Sequence, residues 1–342
     1  MHRFKYTGDF NAMSAYDKFI KNADVRLFAS GAGNAPKKEL EKALEQPAEA
    51  DMSPERMERL EAMLKKSEIG REAVNFLHTS GIKAGFEKMN YYGYFNPEEN
   101  RIALNPNFSD EDLALTFVHE MRHVRQNTIM ENTSSEMIPE TLLKNAFLTE
   151  ADACAAECVF AHQMKERGID AVFKAHQKTP YAPLSAAFEK EFNKSHDMDK
   201  ARNAAFTEWY NLPIRSRYAD QYIGLMAHFS VKGNENDFSQ EISAEKMAKK
   251  LCLNEAGKCY AEAPEKLDAK DKICVDDKQA WKMAYVLRPF MKKYDRTPKQ
   301  LGLDNMAVVK EDGSYSTVRK ELDEFYALTA AQAAARKAKG GR

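Results

Sequence analysis

The sequence predicts an α+β fold that is mostly helical, on three observations. Between residues 53 and 293 long stretches carry apolar side chains three or four positions apart, the spacing of helices with one buried face. One interval, 82–106, breaks that period with clustered aromatic and β-branched residues around turn signals, as a small antiparallel sheet requires. The helix that follows contains HEMRH at 119–123, so the sheet is laid directly before a motif with its own chemistry.

A chain of 342 residues, 43% hydrophobic and 30% charged, has globular rather than disordered composition. Its length supports two or three structural units. The expected divisions are a helical region over 1–65, a central domain over 66–230, and a mostly helical region with a basic tail over 231–342. Lysine plus arginine, 51, nearly balances aspartate plus glutamate, 52, so no overall charge favours nucleic acid or acidic lipid as a partner. Five cysteines, odd in number and sparse, do not suggest a disulfide framework and point to a reducing compartment. The first residues meet Lys5 and Asp9 without an apolar run, and no uncharged stretch approaches the ~20 residues of a membrane span. The expected location is the cytoplasm, with export lacking a conventional signal peptide as the alternative.

In chain order, SGAGNAP at 30–36 reads as a loop and 37–46 as a short charged helix. Ser53-Pro54 is an N-cap followed by proline at the first helical position. The helix it opens carries Met57, Leu60, Met63 and Leu64 on one face. Gly70 is expected to interrupt, with a further helix over 72–79 ending at Gly81, and His78 reads as a packed or surface residue. Residues 82–86 and 91–95 are strand-like, 96–100 (NPEEN) is a turn, and 101–105 is the returning strand, closed by Pro106.

Ser109-Asp110-Glu111-Asp112 starts the next helix, with Ser109 as N-cap and acids where the helix dipole favours them. Leu113, Phe117, Glu120, Val124 and Ala114, Val118, Met121 run at helical spacing through the motif. His119 and His123 project from one face about one turn apart, so both imidazoles reach a single metal ion. Glu120 points to the same side and suits removal of a proton from water held there. A polar connection at 134–139 leads to a helix over about 140–167, stopped at Gly168, that contains LTEADACAAE at 148–157. Its alanine-rich surface permits a neighbouring helix to approach closely. A catalytic zinc takes three protein ligands and a water, so a third ligand is required. The candidates are Glu150, Asp152, Cys154, Glu157 and His162. Glu150, Cys154 and Glu157 share a face, whereas Asp152 lies on the opposite side. Glu150 is preferred, with Glu157 and Asp152 behind it. Cys154 and Cys158 read as small buried apolar residues.

Helical patterns resume at 171–174, 184–192 and 198–211; Pro213 breaks them and 215–220 continues. Arg217, Tyr218 and His228 are candidate oxyanion-stabilising groups, set against ordinary packing or surface pairing. Beyond a polar break at 232–236, residues 244–251 and 279–293 are helical. Residues 306–310 and 314–318 flank Asp312-Gly313 as a hairpin. Cys252 and Cys259 fit either a local clasp or two free thiols. The alanine-rich, basic stretch 329–342 reads as a frayed helix and solvated tail. The sequence carries no repeat, phosphate loop or nucleotide fingerprint.

With HEMRH at 119–123 and TEADACA at 149–155, the central region resembles gluzincin-type zinc metallopeptidases (HExxH…E), and more closely a family of bacterial proteins described as metallopeptidases. The resemblance covers about 67–222 and rests also on Gly93-Tyr94, RIALNP at 101–106, residues 119–126, and AFTEWY at 205–210 with Tyr218. It implies a zincin-like core, with a small antiparallel sheet packed on the HExxH helix and helical flanking regions. It also implies one Zn2+ ion held by His119, His123 and Glu150, with Glu120 as the base. Thermolysin-like members place an Asn-Glu pair at the third ligand and an aspartate four residues on; here Thr149 and Cys154 stand there. The carboxylate partner of His119 is therefore unassigned. In zincin-type peptidases the strand before the metal helix is commonly the edge along which an extended substrate pairs, here 101–105. An ordinary packing hairpin fits the same residues.

The activity expected is that of a zinc-dependent endopeptidase acting on a protein or peptide substrate. Its range is expected to be narrow, because the flanks at 1–65 and 231–342 are large enough to cover the cleft. One alternative is a non-catalytic regulatory or binding protein that retains the fold, against which an intact Glu120 argues. The other is an exported effector peptidase, suggested weakly by the basic C-terminal tail.

Overall fold

The computed structural model describes residues 50–130, 134–324 and 327. The helix expected at 37–46 and the basic tail at 329–342 lie outside them. Ser53 caps helix α1 (Pro54–Leu64), its side chain accepting from the Arg56 amide. Leu60 and Leu64 are fully buried, and Met57 and Met63 pack against the same core.

Gly70 does not interrupt the chain as expected. It lies in the first turn of α2 (Glu68–Ser80), where the Ser67 side chain accepts from its amide. A Cβ there would stand 2.3 Å from the Leu64 carbonyl oxygen and 2.7 Å from Ser67 Oγ. Glycine thus lets α1 and α2 meet through a tight turn, a role that looks the same in sequence as a helix break.

The stretch 83–104 folds into β1 (Lys83–Phe86), β2 (Gly93–Asn96) and β3 (Arg101–Leu104). The 96–100 turn makes β2 and β3 antiparallel, with Gly93 opposite Leu104. β1 runs parallel to β3, with Lys83 opposite Arg101, so the strand order is β1-β3-β2. This corrects the expectation for 101–105. The strand preceding the HEMRH helix is central and paired on both sides, so no further strand can add to it.

Helix α3 (Asp110–Met130) begins as the sequence reads: Ser109 Oγ accepts from the Asp112 amide at 3.2 Å. It packs on β2 and β3 with one face and on α4 (Pro139–Glu166) with the other. α4 ends before Gly168, which takes the left-handed conformation at φ +76°. Ala146, Ala151, Ala153, Ala155 and Ala161 of α4 are fully buried. Such small side chains let neighbours close in along its whole length. Those neighbours include α5 (Asp170–His176), α6 (Ala182–Ser195), α7 (Met198–Trp209), α8 (Ile214–Lys232) and α9 (Ala244–Leu251).

A second sheet, in the order β4-β5-β6, comprises β4 (Cys274–Asp276), β5 (Ala307–Val309) and β6 (Tyr315–Thr317). The β5–β6 hairpin turns at Gly313, φ +80°, as expected. β4 has only three residues, too few for an alternation to register in sequence. Asp276 closes it and caps α10 (Asp277–Lys293) through reciprocal bonds with Gln279. Buried apolar side chains form one cluster from Leu60 to Leu322. All five cysteines are free, so Cys252 and Cys259 are two thiols rather than a clasp. Among the described residues no helix is long and apolar enough to cross a membrane.

Candidate metal centre

Because α3 and α4 pack side by side, the histidine face of one meets the acidic face of the other. His119 Nε2 and His123 Nε2 lie 2.9 Å apart. Glu150 reaches both: Oε2 is 3.6 Å from His119 Nε2, and Oε1 is 3.5 Å from His123 Nε2. Two donors bound at ~2.1 Å to one tetrahedral ion stand about 3.4 Å apart, so the three side chains have the spacing of a shared ion. Glu150 Oε2 is buried without a hydrogen-bond partner. A buried carboxylate oxygen without a hydrogen bond is costly, and a cation would satisfy it. Two imidazoles and a carboxylate suit a divalent transition metal, and the residues present fit one.

Glu120 is fully buried, with Oε2 accepting from the Phe95 amide at 2.9 Å and Oε1 unpartnered. Burial pushes its carboxyl up to about 8; His119 pulls it down and Glu150 pushes it further up. Since the Phe95 amide turns to Glu120 rather than to β3, the free edge of β2 borders the centre.

The other acids of α4 have separate roles. Glu157 sits directly on His119 Nδ1, a hydrogen bond rather than a shared ion. It is the carboxylate partner left unassigned in the sequence, two turns beyond Glu150 on the same face. Burial pulls the His119 imidazole down, but Glu157, Cys154 and Glu150 outweigh it and hold it well above the usual range. Cys154 is close to His119 and Glu157. Burial pushes its thiol up to about 12 despite His119. Asp152 is not among the grouped ligand atoms, but it does not lie on the far side of α4 as expected: Gln126 and Arg122 of α3 both reach it. Burial raises its carboxyl, and Arg122, Arg202 and Tyr260 overcome that and hold it below the usual range.

Residues 35–261 match a family model described as "Putative metallopeptidase family (DUF6782)". The chain belongs to this family. No curated protein and no solved structure matches it. Membership of a metallopeptidase family implies a metal ion, and His119, His123 and Glu150 are a group able to hold one. The matched span runs through Tyr260, whose hydroxyl donates to Asp152.

Of the three candidate oxyanion groups, Tyr218 alone is placed at the centre by its contacts. Its hydroxyl lies 3.2 Å from Tyr181 Oη, and it is among the groups, His123 and His119 first, that hold the Glu150 carboxyl below the usual range against burial. Arg217 is exposed, and His228 is half-buried against Phe229. His162 bonds Glu189, and His78 bonds Glu61, both away from the metal group. The sequence reading missed Phe95, Arg122, Gln126 and Tyr260. Only Gln126 had a local signal, standing three residues after His123 on the same helix.

Proposed function

We propose that the protein is a zinc-dependent endopeptidase of narrow range, with a zincin-like core in which His119, His123 and Glu150 hold one zinc ion. One observation carries this reading: a group of two imidazoles and a carboxylate lies beside a second buried carboxylate, Glu120, with an unpartnered oxygen. A zinc ion bound there supplies Lewis acidity, polarising the scissile carbonyl and making water nucleophilic near neutral pH. Glu120 is anchored through Oε2 by the Phe95 amide, leaving Oε1 to take a proton from the attacking water and pass it to the leaving amine. Glu157 orients His119 through Nδ1, and Tyr218 helps to keep Glu150 ionised. A structural zinc needs no base, so the buried Glu120 favours catalysis over a purely binding role.

His119 and Glu120 are 0% exposed and Glu150 is 4% exposed, which supports restricted access. An extended protein or peptide substrate would lie along the free edge of β2 rather than beside 101–105. The test pairs metal analysis with peptide cleavage by wild type and Glu120→Gln. One zinc per chain is expected in both proteins, and hydrolysis in the wild type alone. Full turnover by Glu120→Gln would refute the mechanism.

A further inference from the structure

The two histidines are supported differently. His119 Nδ1 meets a carboxylate directly, whereas His123 Nδ1 meets the neutral side chain of Gln126 at 2.8 Å. A glutamine amide has an accepting end and a donating end, and its neighbours decide which way it faces. Gln126 Nε2 lies 3.0 Å from the Thr149 carbonyl oxygen and 2.7 Å from Asp152 Oδ2. Both are acceptors with no proton to give, so the donating end must face them. A reversed amide would set its oxygen against two further oxygens. Oε1 therefore faces His123, and as it can only accept, His123 Nδ1 must carry the proton. The lone pair of the neutral ring is then left on Nε2, the atom facing His119 and Glu150.

Asp152 is itself fixed. Its Oδ2 accepts from Arg122 Nε at 2.5 Å and from Gln126, and its Oδ1 accepts from Arg122 Nη2 at 2.8 Å and Tyr260 Oη at 2.6 Å. Arg122 Nη2 also donates to the carbonyls of Leu251 and Leu253 at 2.9 and 2.8 Å. Donors from α3 and from the segment after α9 thus hold one carboxylate in one orientation.

We propose that Gln126 and Asp152 are positioning residues that set the tautomer of His123, keeping Nε2 free for a metal ion. The metal clause rests on the function proposed above; the tautomer clause stands without it. The test is a long-range 1H–15N correlation spectrum of the imidazoles in zinc-free protein at neutral pH, with His123→Asn used for assignment. In the wild type His123 is expected as the Nδ1–H form. Gln126→Met removes both ends of the amide, so His123 should become a mixture of tautomers while His119, held by Glu157, does not change. Zinc affinity, measured by competition with a chelator, should fall about 10- to 100-fold in this variant. A wild-type His123 protonated at Nε2 overturns the proposal, as does a Gln126→Met variant that keeps only the Nδ1–H form. If Gln126→Met fails to fold, the wild-type spectrum decides alone. A wild type that takes up no zinc but shows Nδ1–H supports the positioning role and defeats the metal reading instead.

Discussion

Arg122 is the residue whose removal most directly tests the buried network behind the metal group. Replacing it with methionine keeps most of its apolar bulk but leaves Asp152, which is 0% exposed, without its two strongest donors. Breaking a buried ion pair from one side costs about 3–5 kcal/mol. Here the lower end applies, because Arg202 Nη2 lies 3.8 Å from Asp152 Oδ1, has no hydrogen-bond partner, and can move in. The expected loss is about 3 kcal/mol, read from urea unfolding of zinc-free protein so that metal binding does not contribute. Adding Asp152→Leu removes the stranded charge, so the double variant should be no less stable than Arg122→Met alone. The effect also has a pH signature. A carboxyl held below its unfolded value of 3.8 contributes stability that is complete above that pH and is lost as pH falls through the lower folded value. The gap between wild type and Arg122→Met should therefore narrow on acidification below 3.8. A single variant within about 0.5 kcal/mol of wild type, or a double variant costing the sum of its parts, would refute this account.

Three further outcomes are expected. Glu157→Gln should keep the fold but weaken zinc binding about 10- to 100-fold in chelator competition, since the direct partner of His119 loses its charge. Unchanged affinity would count against its role. Glu120 must be ionised to act, so kcat/KM should rise with pH. Its carboxyl lies at about 8 in the zinc-free chain, and the ion's two charges should bring the acid limb below that value; a midpoint above 8 would contradict the assignment. Gly70→Ala should lower stability by about 1–3 kcal/mol, because its Cβ would stand 2.3 Å from the Leu64 carbonyl oxygen. Zinc affinity should not change, and a parallel loss of both would mean the α1–α2 turn supports the centre.

The parts legible in the sequence were those encoded by local spacing. His119, Glu120 and His123 lie within five consecutive residues, and helical geometry alone puts the histidines together. Glu150 was reachable because α4 announces itself by its length, its alanines and its stop at Gly168. The sheet was half legible. The 96–100 turn marks the β2–β3 hairpin, but nothing local tells that β1 returns parallel on the far side of β3, so the pattern of 101–105 does not separate a substrate-pairing edge from an ordinary packing strand. The support around the histidines was the least legible. Glu157 and Asp152 are chemically equivalent candidates until the packing of α4 on α3 assigns one to His119 and the other to Arg122 and Gln126. Tyr260 reaches Asp152 across 108 residues of chain, a contact no spacing rule anticipates.

Anomalous diffraction at the zinc edge, on crystals of the protein as purified, tests the central claim most directly. One peak is predicted, bounded by His119 Nε2, His123 Nε2 and the Glu150 carboxylate at about 2.0–2.2 Å, with Glu157 remaining on His119 Nδ1. A peak at Cys154 and Glu157, or none after zinc is supplied, would contradict it.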